Sequence, residues 1–245
     1  MRRIRIHLAY DGGPFHGWQV QPGLATIQGL LEEIVAGMEG KPVHVAGSGR
    51  TDAGVHALEQ VAAFSIENPI PLLNLRRAMN RLLPPGIRIL STAEVHEDFH
   101  PRFDAISKTY EYRMVRDEVC SPFEWPYVYH HPYILDEARM ARMARAFEGE
   151  HDFTAFAASD VRDAEGKSKV RTVFTSSLER EGGRLIYRVR GSGFLKHMVR
   201  NIVGTLIEAG RGNLPDIRSL PARCGATVPA KGLFLVRVEY DDANQ

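Results

Sequence analysis

The spacing of apolar residues changes repeatedly along residues 1–98, and this pattern constrains the fold more than any other feature of the sequence. Residues 2–10 alternate apolar and polar side chains, as a half-buried strand does. Helical spacing follows in a segment that Thr26 caps and that runs to about Glu39, and again at 71–83. Further strands are predicted at 43–46, 60–66 and 87–95. The resulting order, β-α-β-β-α-β, is that of a ferredoxin-like unit.

The rest of the chain repeats much of this order. Strands are predicted at 108–116, 170–178, 185–191 and 232–240, and helices at 136–147 and 194–209. Gly182-Gly183 separates two of these strands, which is a hairpin signal. Residues 120–132 are rich in proline and aromatic residues and are expected to form an ordered loop. We predict an α+β protein of two ferredoxin-like halves, residues 1–98 and 99–245, with a cleft between them.

Composition makes several classes of protein unexpected. Of 245 residues, 44% are hydrophobic and 25% are charged, as in globular proteins. No stretch approaches the roughly 20 apolar residues of a membrane helix, and the N-terminal residues lack the apolar segment of a signal peptide. The two cysteines, Cys120 and Cys224, are far apart in sequence. This spacing argues against a disulfide framework or a cysteine zinc site and fits a reducing cytoplasm.

Charge is unevenly distributed although the net charge is only +1. Residues 162–212 contain 11 Lys/Arg and 5 Asp/Glu, a net of +6, so the remaining residues carry −5. A basic segment in a nearly neutral chain indicates a local anionic partner such as nucleic acid. A solvated basic face would have the same composition.

The segment Gly47-Ser48-Gly49-Arg50-Thr51-Asp52-Ala53-Gly54 places an arginine and an aspartate among three glycines. Glycines allow a tight turn and a close approach to a ligand. An aspartate there can act as a nucleophile, a base or a metal ligand, and the neighbouring Arg50 favours its ionised form. A turn in which Asp52 bonds its own backbone is the alternative. The phosphate-binding pattern G-x-x-x-x-G-K-[ST] is absent.

Aromatic and basic residues are combined in four other segments. Phe99-His100-Pro101-Arg102-Phe103 suits contacts with unstacked bases and phosphates. Tyr110 and Tyr112 share one face of a predicted strand and have either a functional or a packing role. The remaining two segments are Phe15-His16-Gly17-Trp18-Gln19 and Gly191–Gly204, in which the predicted helix puts Lys196 and Arg200 on one face. The scattered histidines show no metal-binding spacing, so we assign no metal site.

These segments together resemble the tRNA pseudouridine synthase A family, and the resemblance runs from Phe15 to Leu233. Gly49–Ala57 is similar to the family signature around a catalytic aspartate, here Asp52. Lys108–Tyr112 resembles the motif of the active-site tyrosine, here Tyr110, and Phe194–Gly204 resembles a third motif. The segment 160–169 stands where the family has a variable loop that contacts tRNA.

The resemblance implies isomerisation of uridine to pseudouridine at positions 38, 39 and 40 of the tRNA anticodon arm. It implies no cofactor, no metal and no membrane, a homodimer, and the pseudouridine synthase fold with a mixed, largely antiparallel sheet. The target base must be flipped out of its helix. A carboxylate can then attack the sugar or the base, or remove the C2′ proton, and the sequence does not distinguish these routes.

The resemblance also implies roles for individual residues. Asp52 is the expected catalytic carboxylate, Tyr110 is expected to stack on uracil and relay a proton, and Arg200 is expected to pair with Asp52. Substrate-binding roles are expected for Tyr110, Arg50, Phe99, His100, Pro101, Arg102, Phe103 and Lys196. Two alternatives remain at this point, a non-catalytic RNA-binding protein and a small-molecule enzyme with an aspartate nucleophile. Neither explains both the glycine-rich aspartate loop and the basic segment.

Overall fold

The computed structural model describes residues 1–159, 166, 168–214 and 225–241. Most of the predicted variable loop, residues 160–165 and 167, lies outside the described residues, as does Cys224. The chain forms two compact units. Unit 1 comprises Met1–Ile106 and Phe234–Gln245, and unit 2 comprises Ser107–Leu233. The division into ferredoxin-like halves at residue 98 stays a prediction.

The described residues form ten strands and four α-helices. The strands are β1 (Arg2–Tyr10), β2 (Ala46–Gly47), β3 (His56–Ile66), β4 (Ile87–Val95), β5 (Ala105–Val115), β6 (Tyr129–His130), β7 (Gly149–Asp152), β8 (Val170–Glu181), β9 (Arg184–Gly191) and β10 (Leu233–Tyr240). The helices are α1 (Ile27–Glu39), α2 (Leu72–Leu82), α3 (Glu137–Arg145) and α4 (Met198–Gly210). The α+β prediction is therefore confirmed. None of the helices in the described ranges is long and apolar enough to cross a membrane.

Unit 1 has the predicted β-α-β-β-α-β order. Strand β1 lies between β3 and β4 and is antiparallel to both, while β10 runs parallel to β3. The predicted cap of α1 is confirmed, because the Thr26 hydroxyl accepts a bond from the backbone N–H of Gly29. Strand β3 begins four residues earlier than predicted, at His56, because Ala57 pairs with Tyr10 across an irregularity in β1.

Unit 2 is built on the antiparallel pairs β5–β9, β9–β8 and β8–β7, with the short β6 parallel to β5. The sheets of the two units therefore contain both parallel and antiparallel pairs, most of them antiparallel. Gly182 and Gly183 both have positive φ and join β8 to β9, which confirms the predicted hairpin.

Helix α4 begins four residues later than predicted, and this corrects one expectation about the site. His197 has a left-handed backbone with φ 61°, which stops the helix from extending back toward Phe194. Lys196 therefore precedes the helix and does not share a helical face with Arg200. Residues 120–132 form an ordered segment, which includes a short 3-10 turn at Trp125–Tyr127.

Candidate active site

The loop that carries Asp52 joins β2 to β3 in unit 1 and is fixed by its own backbone. The Thr51 carbonyl accepts a hydrogen bond from the Trp18 N–H at 3.1 Å, and the Asp52 carbonyl accepts one from the Val55 N–H at 3.1 Å. Thr51 and Val55 are buried, whereas Asp52 is only partly buried. The backbone on either side of Asp52 is thus held in place, while the residue itself keeps access to solvent.

A glycine makes the approach of the preceding loop possible. Gly17 has φ +85°, and a Cβ built on it would lie 2.7 Å from the Thr51 carbonyl oxygen. No side chain fits at that distance, so the segment before α1 can pack against the Asp52 loop only with glycine at this position. The segment Phe15–Gln19, singled out in the sequence, therefore supports the loop from one side.

Gln60 is fully buried and holds the Asp52 loop by hydrogen bonds. Its side-chain amide donates to the Gly49 carbonyl at 3.1 Å and to the Tyr10 hydroxyl at 3.4 Å, and its oxygen accepts from the Ser48 hydroxyl at 2.5 Å. The Tyr10 hydroxyl in turn lies 2.9 Å from Thr51 Oγ1. Burial raises the pKa of Tyr10 to about 12, so this hydroxyl stays protonated and can donate to Thr51.

Tyr240, at the end of β10, contacts the segment Phe99–Phe103, which was predicted to bind RNA. Its hydroxyl donates to the Pro101 carbonyl at 2.6 Å, and its ring lies 5.3 Å from that of Phe99. Burial raises the pKa of Tyr240, against opposing effects of Arg5 and of a hydrogen bond with Ser48. Tyr240 therefore holds the segment Phe99–Phe103 against the core of unit 1.

The segment Phe99–Phe103 divides into a buried part and an exposed part. Phe99 and Pro101 are buried, and the Phe99 ring also faces the Arg5 guanidinium at 5.8 Å. Phe103 is 75% exposed and packs on the His100 ring, with ring centres 4.3 Å apart, and the Arg102 guanidinium lies 5.7 Å from the centre of the Phe103 ring. Only Arg102, Phe103 and the edge of His100 present a surface on which a base could stack.

His100 is a hydrogen-bond acceptor in this arrangement. Its Nδ1 accepts from the N–H groups of Arg102 at 3.1 Å and Phe103 at 3.4 Å. Burial, followed by the charge of Arg3, lowers the pKa of His100. The imidazole is therefore neutral near pH 7 and serves to hold the turn of the segment.

Arg50 lies two residues before Asp52 and is exposed. Its guanidinium forms no hydrogen bond or ion pair within the described ranges of the chain. The two residues beside it, Gly49 and Thr51, are both hydrogen-bonded. Arg50 is therefore available to an anionic ligand next to the aspartate.

The remaining predicted site residues lie in unit 2. Tyr110, on β5, is buried and packs edge-on against Phe194 with ring centres 5.1 Å apart. Tyr112 donates its hydroxyl to the Pro229 carbonyl at 2.8 Å, and burial raises its pKa, so its role is structural. Arg200, in the first turn of α4, is partly buried, and its Nε donates to the Val228 carbonyl at 2.8 Å. Lys196 is exposed and donates to the Ser159 carbonyl at 3.3 Å.

The basic segment 162–212 is less basic in the fold than its composition indicates, because four of its arginines pair with carboxylates of unit 2. These pairs are Arg180 with Glu137, Arg184 with Glu124, Arg188 with Glu111 and Glu181, and Arg211 with Glu208. Paired arginines attract phosphate less strongly than free ones. Within the described residues, no group of three or more His, Cys, Asp or Glu side chains could hold a metal ion.

Sequence reasoning missed Gln60 and Tyr240 as parts of the site. Gln60 lies in the middle of an apolar strand, and that position was a weak signal, because a buried amide must find hydrogen-bond partners. Tyr240 is 139 residues from its partner Pro101 and gave no local signal.

Comparisons with known proteins decide the family. The family model described as tRNA pseudouridine synthase matches residues 7–104 and 143–241, which is most of the chain. The chain belongs to the tRNA pseudouridine synthase family. It is 85% identical over 240 residues to tRNA pseudouridine synthase A of Solibacter usitatus (strain Ellin6076), covering 98% of this chain and 100% of that protein. The tRNA pseudouridine synthase A of Geobacter sp. (strain M21) is 43% identical and covers 99% of this chain and 100% of its own length.

A solved structure described as a Cbf5-Nop10-Gar1 complex is a more distant likeness, with a TM-score of 0.45 and 14% identity over 96% of this chain and 48% of that chain. The close relatives carry the assignment without it. The predicted family and the pseudouridine synthase fold are confirmed, and so is the prediction of an isomerase that modifies tRNA uridine. This sets aside both alternatives left open by the sequence.

Proposed function

We propose that this tRNA pseudouridine synthase isomerises uridine at positions 38, 39 and 40 of the anticodon stem-loop, with Asp52 as the catalytic carboxylate. The observation that carries the proposal is the anchoring of the Asp52 loop. Hydrogen bonds of Trp18 and Gln60 hold its backbone and Tyr10 holds the Thr51 side chain, yet Asp52 remains partly exposed. Preorganised placement of a reactive group on a rigid support is what catalysis requires of a scaffold.

The reaction moves a bond within the substrate and consumes nothing. The N1–C1′ bond breaks, the base turns, the C5–C1′ bond forms with release of the C5 hydrogen as a proton, and N1 takes up a proton from solvent. Attack of the carboxylate on sugar or base and removal of the C2′ proton both begin from an ionised Asp52. The anchored loop is compatible with each of these routes.

Tyr110 is proposed as the residue that stacks on the flipped uracil and relays the C5 proton. The fixed position of Tyr110 supports this role, since its ring packs against Phe194 and it lies on β5, which pairs with β9. Arg50, the surface formed by His100, Arg102 and Phe103, and Lys196 are proposed to contact RNA. The predicted pairing of Arg200 with Asp52 stays a prediction.

The test is tritium release from tRNA labelled at uridine C5, because that hydrogen leaves only when the new carbon–carbon bond forms. Asp52→Asn is expected to lower release on the order of 10³-fold or more and to retain tRNA binding. Asp98→Asn removes an exposed carboxylate of the same unit and is the control. Transcripts with uridine at only one of positions 38, 39 or 40 test each site. Release from a transcript with no uridine at these positions would contradict the proposed specificity, and an active Asp52→Asn would contradict the catalytic role.

A homodimer is the proposed assembly, and an exposed apolar surface in unit 2 supports it. Its side chains are those of Val119, Phe123, Trp125, Tyr133 and Ile134, which are each more than half exposed and share the segment 119–134. With 150–250 Å² for each aromatic side chain, it exposes on the order of 700 Å², close to the roughly 800 Å² that each partner buries in a stable complex.

The charge around this surface argues for protein over RNA as its partner. Residues 117–134 contain three carboxylates and no lysine or arginine. Glu124 is paired with Arg184 and Lys231 Nζ lies 3.4 Å from the Trp125 ring centre, which leaves Asp117 and Glu118 to disfavour phosphate. Sedimentation velocity tests the assignment to a second copy of the chain. Phe123→Asp/Ile134→Asp is expected to give a monomer, whereas Leu24→Asp, at an exposed leucine of unit 1, leaves the dimer intact. A wild-type monomer, or a double variant that stays dimeric, would refute the proposed dimer.

A cytoplasmic location is proposed from the tRNA substrate.

A further inference from the structure

Helix α2 and the turn that follows it carry an unusual concentration of unpaired positive charge. Between Glu67 and Glu94 the chain has four arginines and no acidic residue. The arginines are Arg76 and Arg77 and Arg81 on α2, and Arg88 at the start of β4. This segment lies outside the basic segment 162–212 and belongs to none of the motifs assigned to the site.

The contacts of these arginines differ from those of the carboxylate-paired arginines among the described residues. Arg76 and Arg88 donate only to backbone carbonyls, and Arg77 and Arg81 form no side-chain hydrogen bond or ion pair in the part of the chain that the structure describes. Arg77 and Arg81 are both exposed. Elsewhere in the described residues, arginines such as Arg188 are bound to one or two carboxylates.

Helix stability does not account for the arrangement. Arg77 and Arg81 are four residues apart, so they are neighbours on the helix surface and repel one another. The packing of α2 is supplied by its opposite face, where Leu75 and Met79 are buried. Arg81 lies in the last turn of α2, where its charge is favourable to the helix dipole, but Arg77 gains nothing there and is repelled by Arg81. The exposed pair therefore points to a role outside the protein.

Strand register places this charge at the same end of unit 1 as the Asp52 loop. Ile87 is opposite Tyr10, and Tyr10 is opposite Ala57, just after the Asp52 loop. Adjacent strands are about 4.8 Å apart, so Ile87 and Ala57 are separated by roughly 10 Å. The Asp11 N–H also donates to the Gly86 carbonyl at 2.9 Å, which ties the turn after α2 to this end of the sheet.

We propose that Arg77, Arg81 and Arg88 form a phosphate-binding track for the tRNA strand that continues from the nucleotide at Asp52. Arg77 and Arg81 are separated by about 6 Å along the helix axis, which lets them meet successive positions on a nucleic-acid backbone. The track recognises phosphate without reading base identity. The inference rests on the proposed function, since it takes tRNA as the ligand.

The experiment compares tRNA binding by wild type, Arg77→Gln/Arg81→Gln and a control across salt concentrations. Each lost phosphate contact lowers the slope of log affinity against log salt by about 0.7–0.9. Between 50 and 200 mM salt, the wild type is therefore expected to lose roughly 10-fold more affinity than the double variant.

Arg2→Gln/Lys41→Gln is the matched control, because it removes two positive charges from unit 1 that are already paired with Glu94 and Glu67. Its salt slope should equal that of wild type, and Arg77→Lys/Arg81→Lys should restore the slope. An unchanged slope in Arg77→Gln/Arg81→Gln, with active wild-type enzyme, overturns the track and leaves the proposed function intact. An inactive wild type would count against the proposed function, while a changed slope would still support the track.

Discussion

Replacing Gln60 by leucine tests whether the Asp52 loop is held by the buried polar network. Leucine fills a similar volume but offers no hydrogen bond. The Gly49 carbonyl and the Ser48 hydroxyl then lose their Gln60 partner inside the protein. Tyr10 retains its contact with Thr51, so the loop is weakened at its first half and not released entirely.

The expected loss of stability follows from the two groups that lose a hydrogen-bond partner, the Gly49 carbonyl and the Ser48 hydroxyl. Each buried polar group left without a partner costs about 1–3 kcal/mol, which gives roughly 2–6 kcal/mol for Gln60→Leu. In a chain of this size, 1 kcal/mol shifts Tm by about 2–4 °C, so the variant should melt roughly 5–20 °C lower. A displacement of Asp52 by about 1 Å would lower turnover on the order of 10²-fold.

Thermal unfolding and tritium release measure the two effects, at a temperature where the variant is still folded. Gln21→Leu is the control, because its amide donates only one exposed bond, to the His16 carbonyl. It should change stability by less than about 0.5 kcal/mol. If Gln60→Leu matched this control in both Tm and turnover, the reasoning about the network would be wrong.

The remaining predictions concern single rings and one buried imidazole. Phe103→Ala should weaken tRNA binding by about 1–3 kcal/mol, or roughly 5- to 100-fold, without lowering Tm, whereas Phe99→Ala should lower the free energy of unfolding by about 3–5 kcal/mol. Tyr110→Phe should lower tritium release if the hydroxyl relays the proton, and Tyr112→Phe should cost only about 1 kcal/mol of stability, with turnover unchanged. Burial lowers the pKa of His131, so the unfolded chain binds a proton that the folded chain resists. The free energy of unfolding should therefore fall as pH drops below about 6.5, by at most about 1.4 kcal/mol per pH unit, and urea titrations of His131→Asn should show a shallower fall.

The fold was predictable where local spacing decides it. The alternation in β1 and the helical spacing of α2 specify their elements without help from distant residues. The predicted start of α4 was wrong, because the left-handed backbone of His197 depends on surrounding structure and not on helical spacing. Strand β7 was missed because its four residues, Gly149–Asp152, are polar, and only pairing with β8 makes them a strand.

The candidate site likewise has a part that the local sequence shows and a part that only the folded chain forms. Glycines around an aspartate are a local pattern, and the sequence pointed to Asp52 without structural information. The network that holds the loop joins residues from β1 and β3, and Tyr240 of β10 bonds Pro101 of the segment Phe99–Phe103, so no short window of sequence contains these contacts. The difference in exposure between Phe99 and Phe103 also depends on the tertiary structure, since two aromatic residues of one short segment face the core and the solvent.

Charge shows most clearly why counting residues is not enough to locate a nucleic-acid surface. The segment 162–212 has the larger net charge, but several of its arginines lie beside carboxylates, and a paired charge presents a weak field to a phosphate. The segment around α2 has fewer basic residues, yet no carboxylate neutralises Arg77 or Arg81 among the described residues. Since binding strength depends on the charges that can still release counterions from the RNA, the smaller segment is expected to contribute more per arginine to the salt dependence. Replacing Arg184, which is bound to Glu124, should therefore lower the salt slope less than replacing Arg81.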